Sequence, residues 1–75
     1  TVLLKIAKLD GTAIVLSQTT AATGTRAWMR GTGVLPVTEA EAEAYIQRQR
    51  KRDPDLWIIE IEDRRGLFET DEPVI

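Results

Sequence analysis

Two aliphatic runs near the N-terminus predict a β-hairpin. The first run, Val2–Leu9, is VLLKIAKL, and the second, Thr12–Gln18, is TAIVLSQ. Asp10 and Gly11 separate them, and this dipeptide is typical of two-residue hairpin turns, in which both residues reach positive φ. We therefore expect two antiparallel strands joined by a two-residue loop.

Such a loop fixes which residues lie opposite each other. It places Ala7 opposite Ile14 on one face, and Ile6 opposite Val15 on the other. Both faces of the predicted hairpin are then apolar. One carries Leu3, Ala7, Leu9, Ile14 and Leu16, and the other carries Val2, Leu4, Ile6, Ala13 and Val15.

The middle of the chain predicts a third strand and then a helix. Residues 26–30 alternate as a strand that Gly31-Thr32-Gly33 ends. Thr38 and Glu41 form a capping-box pattern at the start of a helix over residues 39–52. The helix ends before Pro54, because the residue preceding a proline avoids the α region. Its first turn is acidic and its last turn basic, which complements the helix dipole.

The last third of the chain predicts a fourth strand and a short returning strand. Residues 56–62 (LWIIEIE) place Trp57, Ile59 and Ile61 on one side. Residues 63–66 are typical of a turn, and residues 67–69 of a short strand. The acidic, proline-containing end, TDEPVI, is expected to be an edge segment or a frayed tail.

These elements predict an α+β fold in a single domain over residues 1–75, in the order β-β-β-α-β-(β). The sheet is expected to be small and mostly antiparallel, with one helix. Two architectures share this order: a twisted sheet with the helix across it, and a partly open barrel. The sequence does not distinguish them.

One helix covers only one face of a sheet, whereas the predicted strands are apolar on both. Each aliphatic side chain that association buries fully contributes about 1.5–3 kcal/mol. We therefore expect self-association or a permanent protein partner that covers the second face. The alternative is that the sheet curls into a barrel and hides both faces internally.

The composition of the chain argues against several kinds of functional site. The chain has no His and no Cys, so it lacks the usual general base near neutral pH, disulfides and thiolate metal sites. Its net charge of −2 provides no general field for nucleic acid. No apolar run approaches the length of a membrane span. We expect a cytoplasmic protein with no membrane contact.

Two groups of basic residues are candidate partner-binding sites. Arg26 and Arg30 flank Trp28 on the predicted third strand, a pattern that suits a protein hot spot or a base-stacking platform. The alternative is a core tryptophan between two arginine stems that reach water. The second group lies in the last turns of the predicted helix and in the turn after the strand over residues 56–62. It comprises Arg48, Arg52, Arg64 and Arg65. The alternative is that the helix residues only complement the helix dipole.

Paired carboxylates are the remaining candidates for chemistry. Glu60 and Glu62 share a strand face, and Asp53 and Asp55 flank Pro54. Acid–base catalysis needs such groups in a cleft that excludes water, and so small a domain offers little cleft, so we expect solvated carboxylates. The sequence therefore predicts no catalytic residue, no cofactor and no metal site.

The leading hypothesis is a non-enzymatic protein–protein interaction module. It would act as an adaptor, regulator or inhibitor of a larger protein or assembly, and as a homodimer if the second face binds its own copy. The alternative is a nucleic-acid-binding protein that uses the Arg/Trp strand face and the basic end of the helix.

Overall fold

The structure, a computed structural model, describes residues 1–75 and contains one helix and an open five-stranded sheet. This confirms the predicted α+β class and the twisted-sheet alternative; the barrel alternative is wrong. No helix combines the length and apolar character that crossing a membrane requires. The elements are β1 (Val2–Ala7), β2 (Thr12–Thr20), β3 (Arg26–Arg30), β4 (Val37–Thr38), α1 (Glu39–Arg52) and β5 (Trp57–Glu62).

The sheet has the strand order β3-β2-β1-β5, and the short β4 pairs with β2 beside this path. The pairings of β2 with β1, β3 and β4 are antiparallel. Only β5 runs parallel to its neighbour, β1. The long aliphatic run of β1 therefore lies between two strands in the middle of the sheet.

The predicted register of the β1–β2 hairpin is wrong by one residue. Ala7 pairs with Ala13, and Ile6 pairs with Ile14. The loop has three residues, 9–11, because the Asp10 carboxylate accepts hydrogen bonds from the Thr12 amide at 3.0 Å and hydroxyl at 2.6 Å. A one-residue shift moves β2 side chains to the opposite face from the one expected.

The three-residue loop forces one residue with a side chain into the left-handed region. Leu9 has a φ of 64° and is partly exposed. A β carbon in this region approaches the following carbonyl oxygen, which costs about 1–2 kcal/mol. Leu9 is thus a strained position in the hairpin.

We expect Leu9→Gly to be more stable than Leu9→Ala by about 1 kcal/mol, because only glycine lacks the β carbon. The alanine variant is the matched control, since both substitutions remove the rest of the side chain. Urea denaturation of the two variants measures the difference. Equal midpoints would show that the loop carries no such strain.

The helix confirms the prediction at both ends. The Thr38 hydroxyl accepts a hydrogen bond from the Glu41 amide at 3.2 Å. The helix ends at Arg52, where the Asp53 amide still donates to the carbonyl of Gln49. Local capping signals therefore determined this element.

The helix covers the first face of the sheet. Ala42 and Ile46 are fully buried against side chains of β1 and β2, among them Leu3 and Val15. Leu56 and Ile58 pack at the side of this cluster and are only partly buried. The hydrophobic core on this side is therefore centred on the hairpin, and β5 lies at its margin.

The C-terminal segment covers the second face. Phe68 and Val74 pack against a buried cluster that includes Ile6, Leu16 and Trp28. The expectation that another molecule covers this face is therefore wrong for its centre. The predicted returning strand over residues 67–69 is also wrong, because this stretch has no regular secondary structure.

The end of the chain pairs with the free side of β3. The carbonyl of Pro73 accepts a hydrogen bond from the Trp28 amide, and the Ile75 amide donates to the Trp28 carbonyl, each at 2.8 Å. The tail is thus an edge segment, which is one of the two alternatives predicted for it.

Asp63 anchors the turn that carries the C-terminal segment onto this face. Its carboxylate accepts hydrogen bonds from the amides of Leu67 at 2.8 Å and Phe68 at 3.1 Å, and lies 3.7 Å from the Lys8 ammonium. Burial acts to raise the pKa of Asp63, but these hydrogen bonds outweigh it and hold the pKa below the ordinary 3.8.

A carboxyl with a lowered pKa contributes stability above its ordinary pKa, and this stability disappears as pH falls through the folded-state value. We therefore expect Asp63→Asn to lower the melting temperature near neutral pH, with a smaller difference from the wild type below pH 3.8. Thermal unfolding at both conditions measures it. Asp71→Asn, an exposed change in the same segment, is the control. A difference that does not depend on pH would contradict this role of the charge.

Candidate binding surface

Strand β5 is paired on one side only. It runs beside β1 from Trp57 to Glu62 without a bulge, and no other strand adjoins it. The amides of Trp57 and Asp63 donate to carbonyls of the β1 side at 3.1 and 2.8 Å. Alternate residues of a strand direct their backbone groups to opposite sides, so the odd-numbered residues of β5 bind β1.

The even-numbered residues of β5 therefore direct their backbone N–H and C=O groups outward. These residues are Ile58, Glu60 and Glu62. Edge strands with such groups are templates for pairing with another strand. Natural proteins protect such edges with charged side chains, proline or a bulge. Strand β5 (WIIEIE) has neither proline nor a bulge, and its only charged residues are Glu60 and Glu62.

Large apolar side chains lie beside these outward groups. Trp57 is 72% exposed and Ile59 is 48% exposed, and both lie on the second face of the sheet. Phe68 and Val74 of the C-terminal segment pack on the buried cluster around Ile6 and Trp28. We refer to the outward backbone groups of β5, with Trp57 and Ile59, as the β5 edge.

The other face of β5 carries a buried ion cluster. The ammonium of Lys5, whose side chain is 8% exposed, lies 2.9 Å from Glu39, 2.8 Å from Glu43 and 3.3 Å from Glu60. All three carboxylates are about half exposed and remain partly hydrated. Helix α1 and β5 are thus both held to the central strand, and Glu60 is not the simply solvated group that we expected.

The carboxylates also fix the charge state of Lys5. The hydrogen bond to Glu43 raises its pKa above the ordinary value; burial opposes this effect, and the hydrogen bonds to Glu39 and Glu60 add to it. Lys5 therefore carries its charge within the ion cluster that joins α1 and β5 to β1.

The structure places Trp28 in the core, where it is 7% exposed. Of the two interpretations of Trp28 that the sequence allowed, the core tryptophan is therefore correct and the exposed hot spot is wrong. Arg26 and Arg30 are exposed at the two ends of β3. They flank a buried ring and form no stacking platform with it.

The other predicted arginines do not form a common surface. The Arg48 guanidinium lies 6.0 Å from the centre of the Tyr45 ring, and Arg52 is exposed in the last helical turn. Arg64 and Arg65 are exposed in the turn that follows β5. The helix end precedes β5 and this turn follows it, so a strand of about 20 Å separates the two pairs. A single basic surface for nucleic acid is not formed.

A shallow cavity of about 480 Å³ lies between the second face and the C-terminal segment. Ile14 and Leu16 contribute to its apolar part, and its polar residues include both Lys8 and Glu69. The mixed charge of this rim favours no single ligand class. Sequence reasoning had assigned no role to this region.

Comparison with known proteins identifies the family. A family model described as "Protein of unknown function (DUF1491)" matches residues 1–69. The chain belongs to the DUF1491 family. No curated protein matches it.

Two solved structures of DUF1491 proteins from Caulobacter crescentus CB15 resemble this chain. The crystal structure at 1.87 Å has a TM-score of 0.79, and an NMR structure has a TM-score of 0.73. Both are 40% identical in sequence and cover 99% of this chain. This chain spans 68% and 66% of the two solved chains, about two thirds of their length. The α+β sheet is therefore the fold of this DUF1491 chain.

Sequence reasoning missed Trp57 and Ile59 as site residues, although it placed them on one strand face. The available signal was the row of large apolar residues on that face, Trp57, Ile59 and Ile61, but the sequence did not show that β5 has a single neighbouring strand.

The two tryptophans should respond differently to truncation. We expect Trp28→Ala to lower the free energy of unfolding by about 3–5 kcal/mol. Trp57→Ala, the matched control, should change it by about 0.5 kcal/mol or less. Urea denaturation compares them, and equal losses would contradict the assignment of one tryptophan to the core and one to the surface.

Proposed function

We propose that this chain is a non-enzymatic protein–protein interaction module that binds its partner through the β5 edge. In this role it acts as an adaptor, regulator or inhibitor of a larger protein or assembly. The observation that supports the proposal is the coincidence of unpaired backbone groups with two exposed large apolar side chains, Trp57 and Ile59.

The proposed binding mode is addition of a strand. An extended segment of the partner pairs with the outward N–H and C=O groups of Ile58 and Glu60, and these bonds supply affinity for any extended chain. Its alternate side chains pack on Trp57 and Ile59 and supply selectivity. Tryptophan is enriched among residues that dominate interface energies, so Trp57 is the expected anchor.

The charge of β5 restricts the partner segment. Glu60 and Glu62 lie on the helix side of the strand, and like charges directly opposite each other destabilise a strand pair. The partner strand therefore presents neutral or basic residues directly opposite Glu60 and Glu62, and apolar residues on the other side. Such a segment alternates between two kinds of residue.

Two exposed apolar residues allow a matched test. Trp57→Lys alters the β5 edge, and Leu35→Lys, at a residue 76% exposed in the loop after β3, makes the same change elsewhere. Tagged wild-type and variant proteins are used to capture partners from an extract of the expressing cells. We expect a partner retained by the wild type and Leu35→Lys to be at least about tenfold depleted with Trp57→Lys, because the anchor is lost.

Equal retention by all three proteins would contradict the proposal, since a partner would then bind outside the β5 edge. Circular dichroism of each variant controls for folding. The high exposure of both side chains makes the fold tolerant of the change.

A further inference from the structure

The β5 edge is complementary to itself. Two identical strands related by a two-fold axis pair antiparallel, and each copy then contributes the same residues. The outward groups of β5 belong to alternate residues, as an antiparallel pairing requires. With the axis perpendicular to the sheet, the apolar face of one copy continues into the apolar face of the other.

The side chains of β5 select one register. An axis at Ile59 places Ile59 opposite Ile59 and Trp57 opposite Ile61 of the other copy. An axis at Glu60 places two glutamates directly opposite each other, which is destabilising. An axis at Ile58 places Ile61 opposite Asp55, so only Trp57 and Ile59 of the three apolar residues on the second face then meet an apolar residue.

The Ile59 register keeps the alternation of hydrogen bonds, as does every register with its axis at a residue of β5. Ile58 then lies opposite Glu60 in a hydrogen-bonded pair, in which the two residues exchange two bonds. Ile59 occupies a non-hydrogen-bonded pair, where opposing side chains lie closest. The apolar residues therefore take the close positions, and the glutamates take the wider ones.

The charges of β5 are compatible with this arrangement. Glu60 lies 3.3 Å from the Lys5 ammonium, which it shares with Glu39 and Glu43, so its charge near the axis is partly neutralised. Glu62 lies opposite Leu56 of the other copy. Beyond the ends of β5, Asp55 lies opposite Asp63, whose carboxylate lies 3.7 Å from the Lys8 ammonium. The net charge of −2 per chain adds only a modest repulsion.

We propose that the strand added to β5 is β5 of a second copy, paired antiparallel about a two-fold axis at Ile59. This inference rests on the proposed function of the β5 edge and names its partner. The contact is confined to one strand per copy, so it is small beside the roughly 800 Å² per partner of a standard interface. The dimer therefore dissociates on dilution.

Charge substitutions at the axis test both the dimer and its register. Ile59→Lys and Ile59→Asp each place two like charges directly opposite each other, and we expect each to remain a monomer of about 8.4 kDa. An equal mixture of the two places opposite charges there, and should recover the dimer. Sedimentation equilibrium measures the masses over concentrations from about 1 µM to 1 mM. Leu35→Lys is the control and should dimerise as the wild type does.

A wild type that remains monomeric over this range overturns the inference, as does a dimer that Ile59→Lys leaves intact. A mixture that stays monomeric overturns the Ile59 register. Capture of a different protein through Trp57 would still support the proposed function, so the two failures are distinguishable.

Amide hydrogen exchange of the wild type supplies a second measurement that needs no variant. We expect the Ile58 and Glu60 amides to exchange at least about tenfold more slowly at high than at low protein concentration, because pairing protects them. The Ile59 amide faces β1 and serves as the internal control. Concentration-independent exchange at Ile58 and Glu60 overturns the inference.

Discussion

The structure depends on the burial of one strand from both sides. Strand β1 is aliphatic on both faces, and Leu3 and Leu4 point to opposite sides of the sheet yet are both buried. A single helix covers only the first of these faces. The irregular C-terminal segment covers the second face with Phe68 and Val74. The helix and this segment are therefore both required to bury the side chains of β1.

Lys5 is the one charged residue of this strand, and its position explains how the layers are held together. A buried ammonium is costly unless it is paired. Its partners come from the helix, at Glu39 and Glu43, and from β5, at Glu60. Because these carboxylates stay partly in water, the cluster avoids the burial of four charges and still links three elements.

Local sequence signals predicted the helix and the order of the strands. They did not predict the features that depend on contacts between distant parts of the chain. The Thr12 amide donates a hydrogen bond to the Asp10 carboxylate in the three-residue loop. The Asp10-Gly11 dipeptide alone does not distinguish this loop from a two-residue loop. The covering segment has no periodicity, so no pattern indicates that Phe68 reaches the sheet. For the candidate surface, the sequence supplied the alternation around Trp57 but not the absence of a neighbour for β5.

Trp28 and Trp57 show why that absence matters. Each lies in a short strand on the second face. The chain closes the β3 edge with its own end, and Pro73 and Ile75 satisfy both backbone groups of Trp28. The β5 edge receives no such segment. One tryptophan therefore belongs to the core, while the other is exposed beside unpaired backbone groups, and this asymmetry is the basis on which we propose β5 as the binding edge.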